Sequence, residues 1–189
     1  MPPELFSFSF NSHIEPICRS LRIFLRREDS APGRTLFQVM PRADTRYFGP
    51  TEYSADAVIR LPRGLHGYEI ESEFLIIQLP DQYPLVYLQS IRNPGLCFVA
   101  LPVFSVDAGY DLQLAAEDSR LLGTQTQPRI GEEVLCLALV AVTETGASAN
   151  LLAPVVVNLR SRIAAQCINA GAEYSHQQSL IPAQEVMSA

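Results

Sequence analysis

Enzymatic chemistry usually begins with histidine, cysteine or paired carboxylates, and this chain places few of them in useful company. Its three histidines are His13, His66 and His176. His66 lies in a glycine-bounded loop, Arg63-Gly-Leu-His-Gly67, with Glu69 three residues on. That spacing allows an acid–base pair, although a loop histidine beside a carboxylate is ordinarily just solvated. Glu69, Glu71 and Glu73 alternate along the chain. On a strand they would project from one face, the disposition needed for glycosidic acid–base work or for a hard cation. No further ligand cluster accompanies them, so a wet polar edge before a buried strand is the favoured reading. Glu132 and Glu133 read as a solvated turn before a long apolar stretch. No HExxH, HxH, GxSxG or GxGxxG is present.

The four cysteines, Cys18, Cys97, Cys136 and Cys167, show no CxxC or other zinc spacing. Cys97 and Cys136 sit in apolar runs, where a free thiol behaves as a small hydrophobe, and all four read as reduced and structural. All 14 basic residues are arginine. The lack of lysine removes Schiff-base chemistry and the P-loop lysine; a coding bias in the source is the simplest reading of it. Residue chemistry therefore implies no cofactor, no metal and no catalytic constellation.

The elements that would position these residues are mostly short strands punctuated by turns. Strands are expected over Thr45–Phe48, stopped at Gly49-Pro50, over Ala57–Leu61, Phe74–Leu79, Leu85–Ser90 and Leu96–Leu101, and over Glu133–Thr143, covered on both faces. Glu144–Ser148 reads as a hairpin loop. Asn150–Leu159 reads as the returning strand, with Pro154 at a bulge or edge. Arg162–Ile168 fits a strand or a short helix. Leu114–Leu122 is the one clear helix, with Gly123 as its C-cap. The fold expected is mainly β: a small antiparallel β-barrel-like domain with one short helix, its sheet closed or nearly closed.

Length and charge divide the 189 residues unevenly. Residues 1–43 hold six arginines and four acids, whereas 44–189 hold eight arginines and sixteen acids, a net charge of −8. The first segment reads as an extension, disordered or mis-assigned, with Met40 the expected native start. Residues 44–180 form the β domain and 181–189 a flexible tail, with fraying expected from Gln177 onward. Leu21, Phe24 and Leu25 could share a helical face opposite Arg19, Arg22 and Arg26, but the stretch is short. The longest apolar run, Val134–Val142, is less than half of the ~20 residues a membrane helix needs. No secretory leader is recognisable, so a cytoplasmic protein is expected. An acidic body argues against direct nucleic-acid binding and suits a basic protein partner.

Several blocks, in order over residues 44–180, resemble the flagellar assembly factor FliW family. They are Thr45-Arg-Tyr-Phe-Gly49; Ile59-Arg-Leu-Pro-Arg-Gly-Leu-His-Gly-Tyr-Glu69; Leu88-Gln-Ser90 with Pro94, Leu96 and Phe98; Ala149-Asn-Leu-Leu-Ala-Pro-Val-Val-Val-Asn158; and Gln166 followed by Tyr174-Ser175. The chain departs from the family pattern at His66, where proline is common, at Arg92-Asn93, and after Ser175. The resemblance implies a monomeric, non-enzymatic protein that binds CsrA, a dimeric RNA-binding translational repressor, and relieves its repression of flagellin mRNA. It also implies binding of newly made flagellin, so that flagellin limits its own synthesis. Phe48, Gly49, Gly64, Gly67, Gln89, Ser90, Asn150, Pro154 and Asn158 are then expected to be structural motif residues. Glu69, Glu71, Glu73, Glu132 and Glu133 are the acidic groups expected to face CsrA. Against this stand a hydrolase using Glu69 or Glu71, which a raised carboxylate pKa would favour, and a small-ligand β-barrel, which a deep apolar cavity would favour.

Overall fold

The computed structural model describes residues 40–180 apart from 145 and 172. The expectations for residues 1–39 and for the tail 181–189 lie outside the described residues.

The chain opens with a hairpin of β1 (Arg42–Thr45) and β2 (Gly49–Glu52). The strand expected over Thr45–Phe48 is instead a turn at Arg46–Phe48. The cause is Thr45, whose Oγ1 accepts the Phe48 N–H at 2.9 Å and donates to the Gly49 carbonyl at 2.8 Å. A threonine that bonds its own turn in this way competes with strand continuation.

The main sheet contains β3 (Val58–Arg60), β4 (Glu73–Ile77), β5 (Val86–Ser90), β6 (Cys97–Pro102), β7 (Val134–Thr143), β8 (Gly146–Ala149), β9 (Val155–Asn158), β10 (Ala164–Gln166) and β11 (Gln178–Ser179). Its principal path runs β10-β9-β7-β6-β5-β4-β3, with β8 and β11 branching from the far half of β7. Every paired strand is antiparallel. The sheet does not close into a barrel. Its two ends are joined by one parallel bridge, Arg60 to Ile163, in which the Arg60 N–H reaches the Arg162 carbonyl at 2.9 Å. The barrel is therefore nearly closed, and the loop after β3 lies at the seam.

Two apolar cores use the alternation of side chains along the strands. Ile59, Phe74, Ile76, Val86, Leu88, Leu135, Leu137, Val155 and Val157 fill the inside of the curved sheet. Val134, Cys136, Ala138 and Val156, which alternate with them, pack outward against Tyr110, Leu112, Leu114, Leu122 and Leu151. Both faces of β7 are thus covered over Val134–Ala138, as its apolar run predicts; Ala141–Thr143 emerge into solvent.

The helix α1 (Ala116–Leu122) starts two residues later than expected. Leu114 is instead buried ahead of the helix, its N–H held by the Thr126 carbonyl at 2.7 Å. Gly123 adopts φ +68° and ends the helix, as its sequence position implies.

Three further expectations are corrected. Residues 150–154 are not strand: the Asn150 side-chain oxygen takes the Ala153 N–H at 2.8 Å and turns the chain, so β9 begins only at Val155, and Pro154 is buried just before it rather than at a bulge. The hairpin after β7 is short, with β8 already under way at Gly146. Residues 178–179 pair with β8 instead of fraying, and Leu180 packs against the outer core. The ambiguity over Arg162–Ile168 resolves to strand β10.

Candidate functional site

The loop between β3 and β4 is built from its glycine upward. At Gly64, with φ +65°, an added Cβ would meet the Tyr68 carbonyl oxygen at 2.5 Å and the Glu69 Cα at 2.6 Å. Only glycine allows the backbone to fold back on itself there. The fold-back is fastened by Gly64 N–H to Leu61 O (2.9 Å), Tyr68 N–H to Leu65 O (2.7 Å) and Glu71 N–H to Tyr68 O (3.0 Å). Leu61 and Leu65 plug the inner core from this loop. The His66 N–H donates to the Gln166 side-chain oxygen at 3.0 Å, and Gln166 in turn donates to the Ala153 carbonyl at 3.2 Å. One glutamine therefore ties the loop to β10 and to the turn before β9.

The three alternating glutamates do not share a face, because only Glu73 lies in a strand. Glu69 is exposed and accepts the Gly67 N–H at 2.8 Å. That bond, with its own backbone N–H, holds its carboxyl below the ordinary value; the His66 charge adds less. Glu71 turns inward, is 8% exposed, and accepts the Ser90 hydroxyl at 2.7 Å. Glu73 stands opposite Arg60 across β3–β4, with 3.6 Å between the charged groups. On the far side of the sequence, Glu132 and Glu133 both lie against Arg129, at 2.6 and 3.5 Å. Glu133 also accepts the Arg129 backbone N–H at 2.9 Å, which lowers its pKa.

The remaining motif residues hold backbone. Ser90 Oγ accepts the N–H groups of Arg92 and Asn93, and the buried Gln89 amide donates to the carbonyls of Ser90 and Leu96, each at 3.0 Å. Together they shape the turn whose Pro94 carbonyl receives the Arg46 N–H at 2.9 Å from the β1–β2 turn. Phe48 meets Tyr87 edge to face at 5.2 Å, just before Gly49 starts β2. Asn158 donates to the Leu122 carbonyl at the end of α1 and accepts the Arg160 and Ser161 N–H groups. Gly67, at φ +80°, lies in the exposed tip of the loop.

Sequence reading missed two organisers. Asn169 is buried and its side chain makes four bonds, donating to the Asp111 carbonyl and Tyr110 hydroxyl and accepting from Gln113 and Gly171 N–H groups. Tyr110 stacks on Tyr174 at 4.4 Å; the Tyr174-Ser175 block was the one signal of this junction. Arg63 bonds Glu117 at 2.5 Å and Asp118 at 3.1 Å, joining the loop to α1. Nothing in the spacing of those residues announces the contact.

Residues 66–70 form the exposed tip of the loop, and Tyr68, Glu69 and Ile70 are its last three side chains. Ile70 is 82% and Tyr68 42% exposed, the latter resting edge to face on Phe98 at 5.1 Å. A surface of this kind can bind a protein. The Glu69 carboxyl is shifted down, whereas a general acid working at neutral pH needs a shift upward. Among the described residues no group of three or more His, Cys, Asp or Glu is placed to hold a metal ion.

Residues 42–180 match the family model described as FliW protein. The chain belongs to the FliW family. It is 35% identical over 140 residues to the flagellar assembly factor FliW of Bacillus licheniformis, covering 72% of this chain and 94% of that protein. It is 31% identical over 139 residues to the FliW of Anoxybacillus flavithermus, covering 74% and 94%. A crystal structure of the flagellar assembly factor FliW superposes with a TM-score of 0.66 at 29% identity, covering 76% of this chain and 99% of that one. The FliW-like region coincides with the sheet, the seam loop and α1. Among the described residues no helix is long and apolar enough to cross a membrane.

Proposed function

We propose that this chain is a cytoplasmic partner switch in flagellum assembly, acting by binding and not by catalysis. In this reading it binds the translational repressor CsrA, relieves repression of flagellin mRNA, and is withdrawn from CsrA by newly made flagellin. The observation that carries the reading is the match of residues 42–180 to the FliW family. The charge of residues 44–189 supports it, since a net −8 suits a positively charged RNA-binding partner and disfavours direct nucleic-acid contact. The protein works as a monomer without a cofactor.

The groups proposed to steer CsrA are the acids that remain accessible, Glu69, Glu73, Glu132 and Glu133. Glu71, with its carboxylate committed to Ser90, supports the surface from beneath. Flagellin binding rests more on apolar and aromatic contacts. The test is direct calorimetric titration of the purified chain with purified CsrA and, separately, with flagellin. Saturable binding of both supports the reading; no detectable binding of either overturns it.

A further inference from the structure

The seam loop exposes an apolar side chain where a connector between two strands needs only polar residues. Isolated exposed isoleucines are commonplace on protein surfaces, so exposure alone carries little. Here the surrounding backbone is tied down at several points. Gly64 permits a fold-back no other residue tolerates. Leu65 is buried at one end of the tip and Glu71 at the other. The His66 N–H is held by Gln166, and the Gly67 N–H by Glu69. Between these fixed points residues 66–70 are all exposed; the His66 and Gly67 N–H groups are tied down, and Tyr68, Glu69 and Ile70 follow as consecutive exposed side chains. A rigid tip loses little entropy on binding, which makes each contact count for more. Its one charge is a carboxylate kept ionised by a backbone bond.

We infer that the Tyr68–Glu69–Ile70 tip is the anchor for the basic partner, with Ile70 entering an apolar pocket rimmed by arginine or lysine that meets Glu69. The inference rests on the reading of CsrA as that partner and goes beyond it by assigning the contact to one loop. Charge complementarity selects the partner: the tip carries a carboxylate and an apolar group, and a cationic rim around an apolar hollow satisfies both. Ile70 supplies the burial that slows dissociation, and Glu69 accelerates encounter.

The test uses the full chain and purified CsrA, with association and dissociation rates measured at low and high salt. Ile70→Ser should leave the melting temperature unchanged and weaken binding about tenfold or more, chiefly through faster dissociation. Glu69→Gln, which keeps an oxygen for the Gly67 N–H, should slow association at low salt and reduce its salt dependence. Val142→Ser is the control, because Val142 is 76% exposed on β7, outside the loop; it should stay within about twofold of the unaltered chain. Binding by the unaltered chain that Ile70→Ser leaves within about twofold overturns the anchor while sparing the partner. Equal weakening by Val142→Ser also overturns it. Failure of the unaltered chain to bind CsrA overturns the partner and this inference together.

Discussion

Glu71 accepts the Ser90 hydroxyl at 2.7 Å in a nearly solvent-free setting, and Ser90 Oγ simultaneously accepts the Arg92 and Asn93 N–H groups. This contact couples the end of the seam loop to the turn between β5 and β6, and that turn supports the β1–β2 hairpin through Pro94 and Arg46. Glu71→Ala removes the acceptor and leaves a buried hydroxyl poorly paired, at a cost of about 1–3 kcal/mol. Glu71→Gln retains an acceptor and should lose less. Urea denaturation of the two variants checks the order; equal stability of Glu71→Ala and the unaltered chain would contradict it.

Val156 is fully buried in the outer core on β9. Val156→Asp would bury an unpaired carboxylate at a cost of several kcal/mol, comparable to the whole stability of a domain that is stable by about 5–15 kcal/mol. The expected result is insoluble protein or loss of a cooperative melt. A soluble variant with an unchanged melting temperature would contradict the position assigned to β9.

Gly64→Ala should destabilise by more than about 1 kcal/mol, because φ +65° is strained for alanine and the added Cβ meets backbone. Gly67→Ala, where φ is also positive but no atom lies within 4 Å of the added Cβ, should cost less. Thermal melts of the pair separate steric conflict from backbone strain; equal losses would refute the close approach at Gly64.

Much of this architecture was legible in the sequence, for reasons that differ by element. The apolar runs of β4, β5, β6 and β7 declare themselves because two packed faces demand them. Gly123 ends α1 where its conformational freedom suggests. Two of the misplaced elements are governed by single side chains bonding their own backbone: Thr45 turns the chain after β1, and Asn150 delays β9. Glu71 illustrates a different limit. Its spacing with Glu69 and Glu73 suggested a common face, but burial beside Ser90 is a property of two distant segments meeting. Asn169 and Arg63 escaped notice for the same reason.

Acid should weaken the fold partly through Glu69 and Glu133. Backbone N–H groups of Gly67 and Arg129, respectively, lower their pKa values in the folded state. A carboxylate with a lowered folded pKa contributes stability above its unfolded pKa, and that contribution is lost as pH falls through the folded value. Glu133→Gln should therefore flatten the decline of melting temperature below the ordinary carboxylate pKa. A decline of unchanged steepness would remove Glu133 from the account.

Among the described residues, the thiols of Cys97, Cys136 and Cys167 should be silent at neutral pH. Burial pushes Cys97 up to about 11 and Cys167 up to about 12, and moves Cys136 well above its ordinary value. The thiolate is the reactive form, so maleimide labelling read by peptide mass should modify Cys136 and Cys167 only after unfolding. Rapid labelling of either in the folded protein would contradict their burial.

In the proposed partner switch, CsrA and flagellin exclude one another on this chain. Flagellin titrated into the preformed complex with CsrA measures it most directly. The account predicts that CsrA is released as flagellin saturates, and that CsrA weakens flagellin binding by the same factor, as linkage requires. A stable ternary complex in which saturating flagellin leaves the affinity for CsrA unchanged would contradict it.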